Sequence, residues 1–159
     1  MGTGPSSGPR PPEERVVLFV CVENAARSLM AESIFNSCAP AGWQARSAGT
    51  RPASLPNPRT GPALKEIGLE LPPHSPQLLT PELVREAEVV VTMGCLDEAS
   101  CPVFLTSLGP VRDWGLPDPS RMDPEGFRSV RDEIVRRVSS LCTELTSTHA
   151  AEGSGRARS

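Results

Sequence analysis

Cys21-Val-Glu-Asn-Ala-Ala-Arg27-Ser28 sets a cysteine, five residues, an arginine and a hydroxyl between the apolar run Val16–Val20 and a helical pattern. Residue types in this order build a cradle for a tetrahedral oxyanion with a sulfur nucleophile at its base. The backbone N–H groups of such a turn, those of Val22, Glu23, Asn24, Ala25 and Ala26, point inward and carry positive potential, as at a helix N-terminus. Arg27 adds a planar fork suited to two oxyanion oxygens at once. A field of that sign suits a thiolate, and Ser28 is placed to donate a hydrogen bond to the sulfur. The plainer reading is a cysteine that ends a strand as a small hydrophobe. Its place between a strand and a helix favours chemistry.

Attack by a thiolate on a phosphate or arsenate also requires a proton for the departing oxygen, hence a carboxylic acid near the cradle. Asp113-Trp-Gly-Leu-Pro117-Asp118-Pro119-Ser120 presents one acid between two prolines. Those prolines fix their own φ and bias the preceding residue toward extended geometry, holding Asp118 stiffly. An ordinary Asp-Pro turn is the alternative; paired with the cradle, the general-acid reading is the stronger. Asp113 is a spare candidate, placed at a strand end where a structural role suits it better.

These residues need a scaffold. Val16–Val20 reads as a central parallel strand covered on both faces, followed by a helix over roughly 27–38. A short strand over 43–47 ends in the turn Ser47-Ala-Gly-Thr50, and residues 59–68 form a second helix closed by Gly68. Thr80-Pro81-Glu82 starts a short helix over 81–86, leading to a third strand, Glu88–Thr92, and a fourth over 111–114. In the last helix, about 124–146, Phe127, Val130, Ile134, Val138, Leu141 and Leu145 make one apolar stripe. The pattern predicts a three-layer α/β/α fold with a four-stranded, parallel, doubly wound sheet and ligands at the strands' C-terminal ends, where Cys21 falls.

The chain has 159 residues and a net charge of −3, which suits one domain and argues against nucleic acid or anionic membrane surfaces as partners. No apolar run reaches the roughly 20 residues of a membrane span, and residues 1–13 lack the apolar core of a signal peptide. A cytoplasmic location is therefore expected, with the five cysteines reduced. Residues 1–13 and 148–159 read as disordered tails around a domain over 14–147. Cys38 and Cys142 lie on apolar helix faces and read as core; His74 has no evident partner.

The run VLFVCVENAARSLMAE, the Ser-Ala-Gly-Thr turn and the late Asp-Pro loop resemble the low-molecular-weight protein tyrosine phosphatase fold family over about residues 16–146. That family carries two chemistries, phosphate monoester hydrolysis and thiol-coupled arsenate reduction. Hydrolysis needs one cysteine. Reduction of arsenate to arsenite takes two electrons, so Cys21 needs a second thiol. The third strand leads through Val91-Thr-Met-Gly-Cys95 into a loop that ends at Cys101-Pro102, on Cys21's side of the sheet, and its two cysteines suit a thiol relay. Two unrelated loop thiols, or a metal site, are the alternatives; with His74 and His149 isolated, no third or fourth ligand is near to favour metal.

The run is similar to that of arsenate reductases, whereas the phosphatases usually place an aspartate there. Phosphatases also tend to carry an aromatic residue after the Asp-Pro, where Ser120 stands here, and a cysteine before the cradle arginine, where Ala26 stands. In thioredoxin-coupled members the first loop cysteine directly follows the strand; here Gly94 fills that position. The resemblance implies an external reductant, either a thioredoxin-, glutaredoxin- or mycoredoxin-type protein or a small thiol; a monomer is expected. The resemblance also implies a potassium ion held by Asn24, Glu32 and Ser47, for which surface charge and turn-capping are the plainer readings. The expected function is arsenate reduction; phosphatase action and a non-catalytic oxyanion- or arsenite-binding module remain as alternatives.

Overall fold

The computed structural model of the chain describes residues 15–94 and 102–158. Four strands, β1 (Arg15–Cys21), β2 (Trp43–Gly49), β3 (Val89–Thr92) and β4 (Arg112–Asp113), form one sheet. Its order is β2-β1-β3-β4 and every pairing is parallel. Among the described residues the α-helices are α1 (Arg27–Cys38), α2 (Thr60–Lys65), α3 (Pro81–Glu86), α4 (Val103–Ser107) and α5 (Pro124–Arg158). This is the three-layer, doubly wound arrangement predicted from the sequence.

Alternation along β1 divides the core. Val17 and Phe19, with Val91 of β3, face a layer built by Met30, Ile34 and Phe35 of α1 and by the α5 stripe from Phe127 to Leu145. Leu18 and Val20, with Val90, face the opposite layer, which holds Leu79, Val84 of α3 and Leu105 of α4. Because both faces are covered, β1 carries a continuous apolar run. Each fully buried side chain of this size contributes about 1.5–3 kcal/mol from burial alone.

Starts and stops follow local chemistry. Thr80 caps α3 by accepting from the Leu83 N–H at 3.2 Å, with Pro81 in the first turn. Beyond α2, turns close at Gly68, whose φ is +81°. Two elements escaped the periodicity: α4, with only five residues, and a 3₁₀ turn at Pro119–Arg121. The last helix continues past residue 146, through the segment read as a disordered tail, to Arg158. An apolar stripe marks where a helix is buried and says nothing about how far its backbone continues beyond. Among the described residues no helix is long and apolar enough to cross a membrane.

Candidate active site

Cys21 ends β1, and the chain turns through residues 22–26 into α1. The carbonyl oxygens of this turn are held from outside. Those of Cys21, Val22 and Glu23 accept from the backbone N–H groups of Thr50, Arg51 and Ala53, and that of Ala25 accepts from Asn57 N–H and Thr60 Oγ. With the carbonyls turned outward, the amides are left to face the cup. Helix α1 adds to the same field: Ala26 supplies no side-chain cap, and no acidic residue stands in the first turn.

Gly49 permits this bracing. A Cβ there would lie 2.5 Å from the Val22 carbonyl oxygen and 2.9 Å from the Asn24 nitrogen. The end of β2 thus approaches the oxyanion loop backbone to backbone, which only glycine allows.

The Cys21 sulfur is buried and has two near partners. The Asn24 N–H donates to it at 3.2 Å, and Ser28 Oγ lies 2.9 Å away. Asn24 is left-handed at φ +52° and fully buried. Its Oδ1 accepts from the Gln77 N–H at 2.9 Å, and its Nδ2 donates to Ser28 Oγ at 2.7 Å. An amide nitrogen can only donate, so Ser28 accepts there and its own hydrogen is free for the sulfur. The hydroxyl direction expected from the sequence thus follows from a chain, Asn24 to Ser28 to Cys21.

Arg27 is 4 % exposed, and its Nη1 donates to the carbonyls of Leu116 at 3.0 Å and Met93 at 3.4 Å. Its Nη2 stands 4.0 Å from Asp118 Oδ2. The other oxygen of Asp118 accepts from the Ser120 N–H at 3.0 Å, capping the 3₁₀ turn. Cys21, the loop residues Val22, Glu23, Ala25 and Ala26, Arg27 and Asp118 share one cavity of ≈ 170 Å³. The scale suits a small oxyanion and a few waters. Glu23 is exposed, as an anion site requires of it. Asp113 is structural: Oδ1 accepts from Thr92 Oγ and from the Gly115 N–H.

Sequence reasoning missed two contributors. Asn57 lines the cavity. Arg59 grips the Asp118 loop, with Nη1 donating to the Met122 carbonyl at 2.7 Å and Nη2 to that of Ser120 at 2.8 Å. Its guanidinium lies 5.0 Å from the centre of the Phe127 ring. No local signal distinguishes Arg59 from a surface arginine.

Cys95 and Cys101 lie outside the described residues. His74, expected to be without a partner, bonds through Nε2 to both oxygens of buried Glu32 at 2.9 and 3.1 Å. Ser47 Oγ donates to the same carboxylate at 2.5 Å. Burial, the largest influence on His74, lowers its pKa, but the bonds to the Ser75 carbonyl and to Glu32, with the latter's charge, outweigh it and raise the pKa above the ordinary value. Of the three residues suggested for potassium, Glu32 and Ser47 meet, while the Asn24 carboxamide is engaged by Ser28 and Gln77. A cation here would have to share Glu32 with His74. Cys38 is exposed, not core, because α1 ends at the surface there; Cys142 is buried as expected.

A family model described as low molecular weight phosphotyrosine protein phosphatase matches residues 16–151. Arsenate reductase 1 of Staphylococcus epidermidis is 31% identical over 126 residues, covering 79% of this chain and 94% of that protein. The structure of a thioredoxin-dependent arsenate reductase from Corynebacterium glutamicum superposes with a TM-score of 0.70 at 31% identity, over 84% of this chain and 63% of that one. An arsenate reductase from Archaeoglobus fulgidus superposes with a TM-score of 0.67 at 35% identity, over 80% of this chain and 98% of that one.

Proposed function

The chain belongs to the low molecular weight phosphotyrosine protein phosphatase family, and on that premise we propose that it is an arsenate reductase acting through Cys21. The observation that carries the proposal is the closed set of roles around one small cavity. A sulfur nucleophile, outward-held carbonyls, a buried arginine and a carboxylate converge there. No aromatic ring lines it among the described residues, so nothing flanks an aryl group. Similarity to arsenate reductases along nearly the whole of two of them supports the same choice.

In the proposed reaction the loop amides and Arg27 hold three oxygens of arsenate. Cys21 Sγ attacks arsenic, and the departing oxygen leaves as water with a proton from Asp118. Cys95 then attacks Cys21 Sγ. The arsenic–sulfur bond breaks, its electron pair stays on arsenic as arsenite, and a Cys21–Cys95 disulfide remains. Cys101 attacks Cys95 and frees Cys21, and an external dithiol of thioredoxin type, or a small thiol, reduces the Cys95–Cys101 disulfide. Support for the two later thiols comes from the sequence. Because every residue of the cup is supplied by one chain, a monomer suffices, and the relay requires a reducing compartment.

His74 and a potassium ion are alternative partners for the buried Glu32 carboxylate, with His74 filling that role when protonated. The intact set of Cys21, Arg27 and Asp118 favours catalysis over a module that only binds oxyanions. Phosphate ester hydrolysis is the second reading, because the same cup accepts phosphate.

Purified protein given arsenate, thioredoxin, thioredoxin reductase and NADPH should consume NADPH, and Cys21→Ser and Cys101→Ser should each abolish that consumption. An aryl phosphate assay run beside it discriminates: hydrolysis without arsenate turnover overturns the reductase reading.

A further inference from the structure

At the end of α1 farthest from the oxyanion cup, Cys38 Sγ lies 3.2 Å from Cys142 Sγ of α5. Arg27 and Cys38 stand at opposite ends of the 12-residue α1, roughly 16 Å apart at 1.5 Å per residue, so these two thiols take no part in the chemistry at Cys21. Cys38 Sγ donates to the Ile34 carbonyl at 3.4 Å, which leaves its lone pairs to accept from the Cys142 thiol. One member of the pair is exposed and the other buried. Beside Cys38 opens a cleft of ≈ 520 Å³ between α1 and α5, walled by Ile34, Ile67, Leu69 and Val135. A small neutral molecule can enter there and reach Cys38, with Cys142 Sγ 3.2 Å behind it.

We propose that Cys38 and Cys142 form a second thiol site, one that binds trivalent arsenic as a bridging dithiolate. The step is a condensation without redox change. Arsenous acid, As(OH)₃, loses two hydroxides, each takes one thiol proton and leaves as water, and two sulfur–arsenic bonds form. One hydroxyl stays on arsenic, which keeps its oxidation state, so no oxidant or reductant is required.

A direct sulfur–sulfur bond of about 2.05 Å would form only after the two sulfurs, now 3.2 Å apart, move together. Two bonds slightly longer than that, meeting near a right angle at a bridging arsenic, hold their sulfurs about 3 Å apart, close to the separation already present. The thiol chemistry agrees. Burial, the bond to Cys38 and the charge Cys38 would carry push the Cys142 thiol up to about 12. Thiol–disulfide exchange needs a thiolate, whereas condensation with arsenous acid uses thiols and supplies the acceptors for their protons. The ligand class is the product of the reaction proposed above, and the physiological meaning of the site rests on that reading; its occupancy does not.

The test uses the full chain with Cys21, Cys95 and Cys101 all changed to serine, so that only Cys38 and Cys142 remain of the five cysteines. Incubated anaerobically with sodium arsenite, this protein should bind one arsenic per chain in intact-mass measurement under native conditions. Both remaining thiols should become unreactive to a thiol reagent. A further Cys142→Ser change should weaken arsenite binding at least about tenfold, a loss of roughly 1.4 kcal/mol, with an unchanged circular dichroism spectrum showing that the fold is intact. Binding no tighter than in the Cys142→Ser variant, or a disulfide in place of an adduct, overturns the site. Arsenate turnover by protein changed only at Cys38 and Cys142 is measured separately. Its presence or absence bears on the reductase reading and leaves the binding result untouched.

Discussion

The carboxamide of Asn24 donates to Ser28 Oγ at 2.7 Å, and that bond decides which way the Ser28 hydroxyl points. Since the Gln77 N–H holds the carboxamide oxygen, the amide nitrogen faces Ser28, and the hydroxyl is left to serve Cys21 Sγ. A typical intramolecular hydrogen bond contributes about 0.5–1.5 kcal/mol. Ser28→Ala is therefore expected to slow iodoacetamide alkylation of Cys21 by about two- to tenfold. Asn24→Ala is expected to slow it further, because it also releases the left-handed turn that aims the Asn24 N–H at the sulfur. Alkylation rates as fast as wild type in both variants would show that the chain does not act on the sulfur.

Asp118 and Arg59 should separate chemistry from positioning. Asp118→Asn removes the proton donor and is expected to lower kcat by about 10²–10⁴ while leaving phosphate binding intact. Arg59→Met keeps an apolar stem over Phe127 but drops the three carbonyl bonds to the Asp118 loop. Its expected effect is about a tenfold fall in kcat with KM little changed. The two changes act on one step, so their effects should not add in the double variant. A full, additive loss would place Arg59 in a different role.

His74 confers a pH dependence with a defined sign. Its folded-state pKa is raised, so its contribution to stability is complete below the ordinary imidazole value of about 6.5 and is lost as pH rises through the folded value. Thermal melts across neutral pH should show that loss in the native protein and not in His74→Ala. Without His74 the buried carboxylate of Glu32 keeps only Ser47 among the partners seen here, at a cost of about 3 kcal/mol or more. Potassium in place of sodium should restore part of that stability in His74→Ala and add little to the native protein at low pH. A melting temperature indifferent to both pH and the variant would refute the pairing.

Gly49→Ala tests the bracing of the cup. The added methyl meets backbone atoms at 2.5 and 2.9 Å, and neither can swing away as a side chain could. Overpacking of this kind costs about 1–3 kcal/mol, and here the strain falls on the loop that holds the oxyanion. A lower denaturation midpoint together with weakened phosphate binding is expected. Weakened stability with phosphate affinity preserved would mean that the loop tolerates the displacement.

What could be read in the sequence follows contact distance along the chain. Cys21 to Ser28 is a local motif whose strand and helix are also local, so its spacing already described the cup. Asp118 was legible because its two prolines are neighbours. By contrast, His74 reaches Glu32 across 42 residues, Arg59 reaches Met122 across 63, and Cys38 reaches Cys142 across 104. None of those partners leaves a mark on the other's surroundings in sequence. Helix α1 shows the same limit within one element: its spacing was plain, but periodicity could not say that Cys38, on its apolar side, would emerge at the surface.

The outward-held carbonyls carry a last consequence, for selectivity. A receptacle whose walls are fixed before anything enters pays little ordering cost on binding, but it has also committed to a shape. Phosphate and arsenate share that shape and charge, so a preformed cup admits both and phosphate must compete for it. Discrimination is then deferred to the adduct. Phosphorus gains nothing from a second thiol and returns to solution unchanged, whereas arsenic accepts the electron pair and departs as another species. The binding step measures form, and the choice between the two elements is made afterwards, by which of them thiols can reduce.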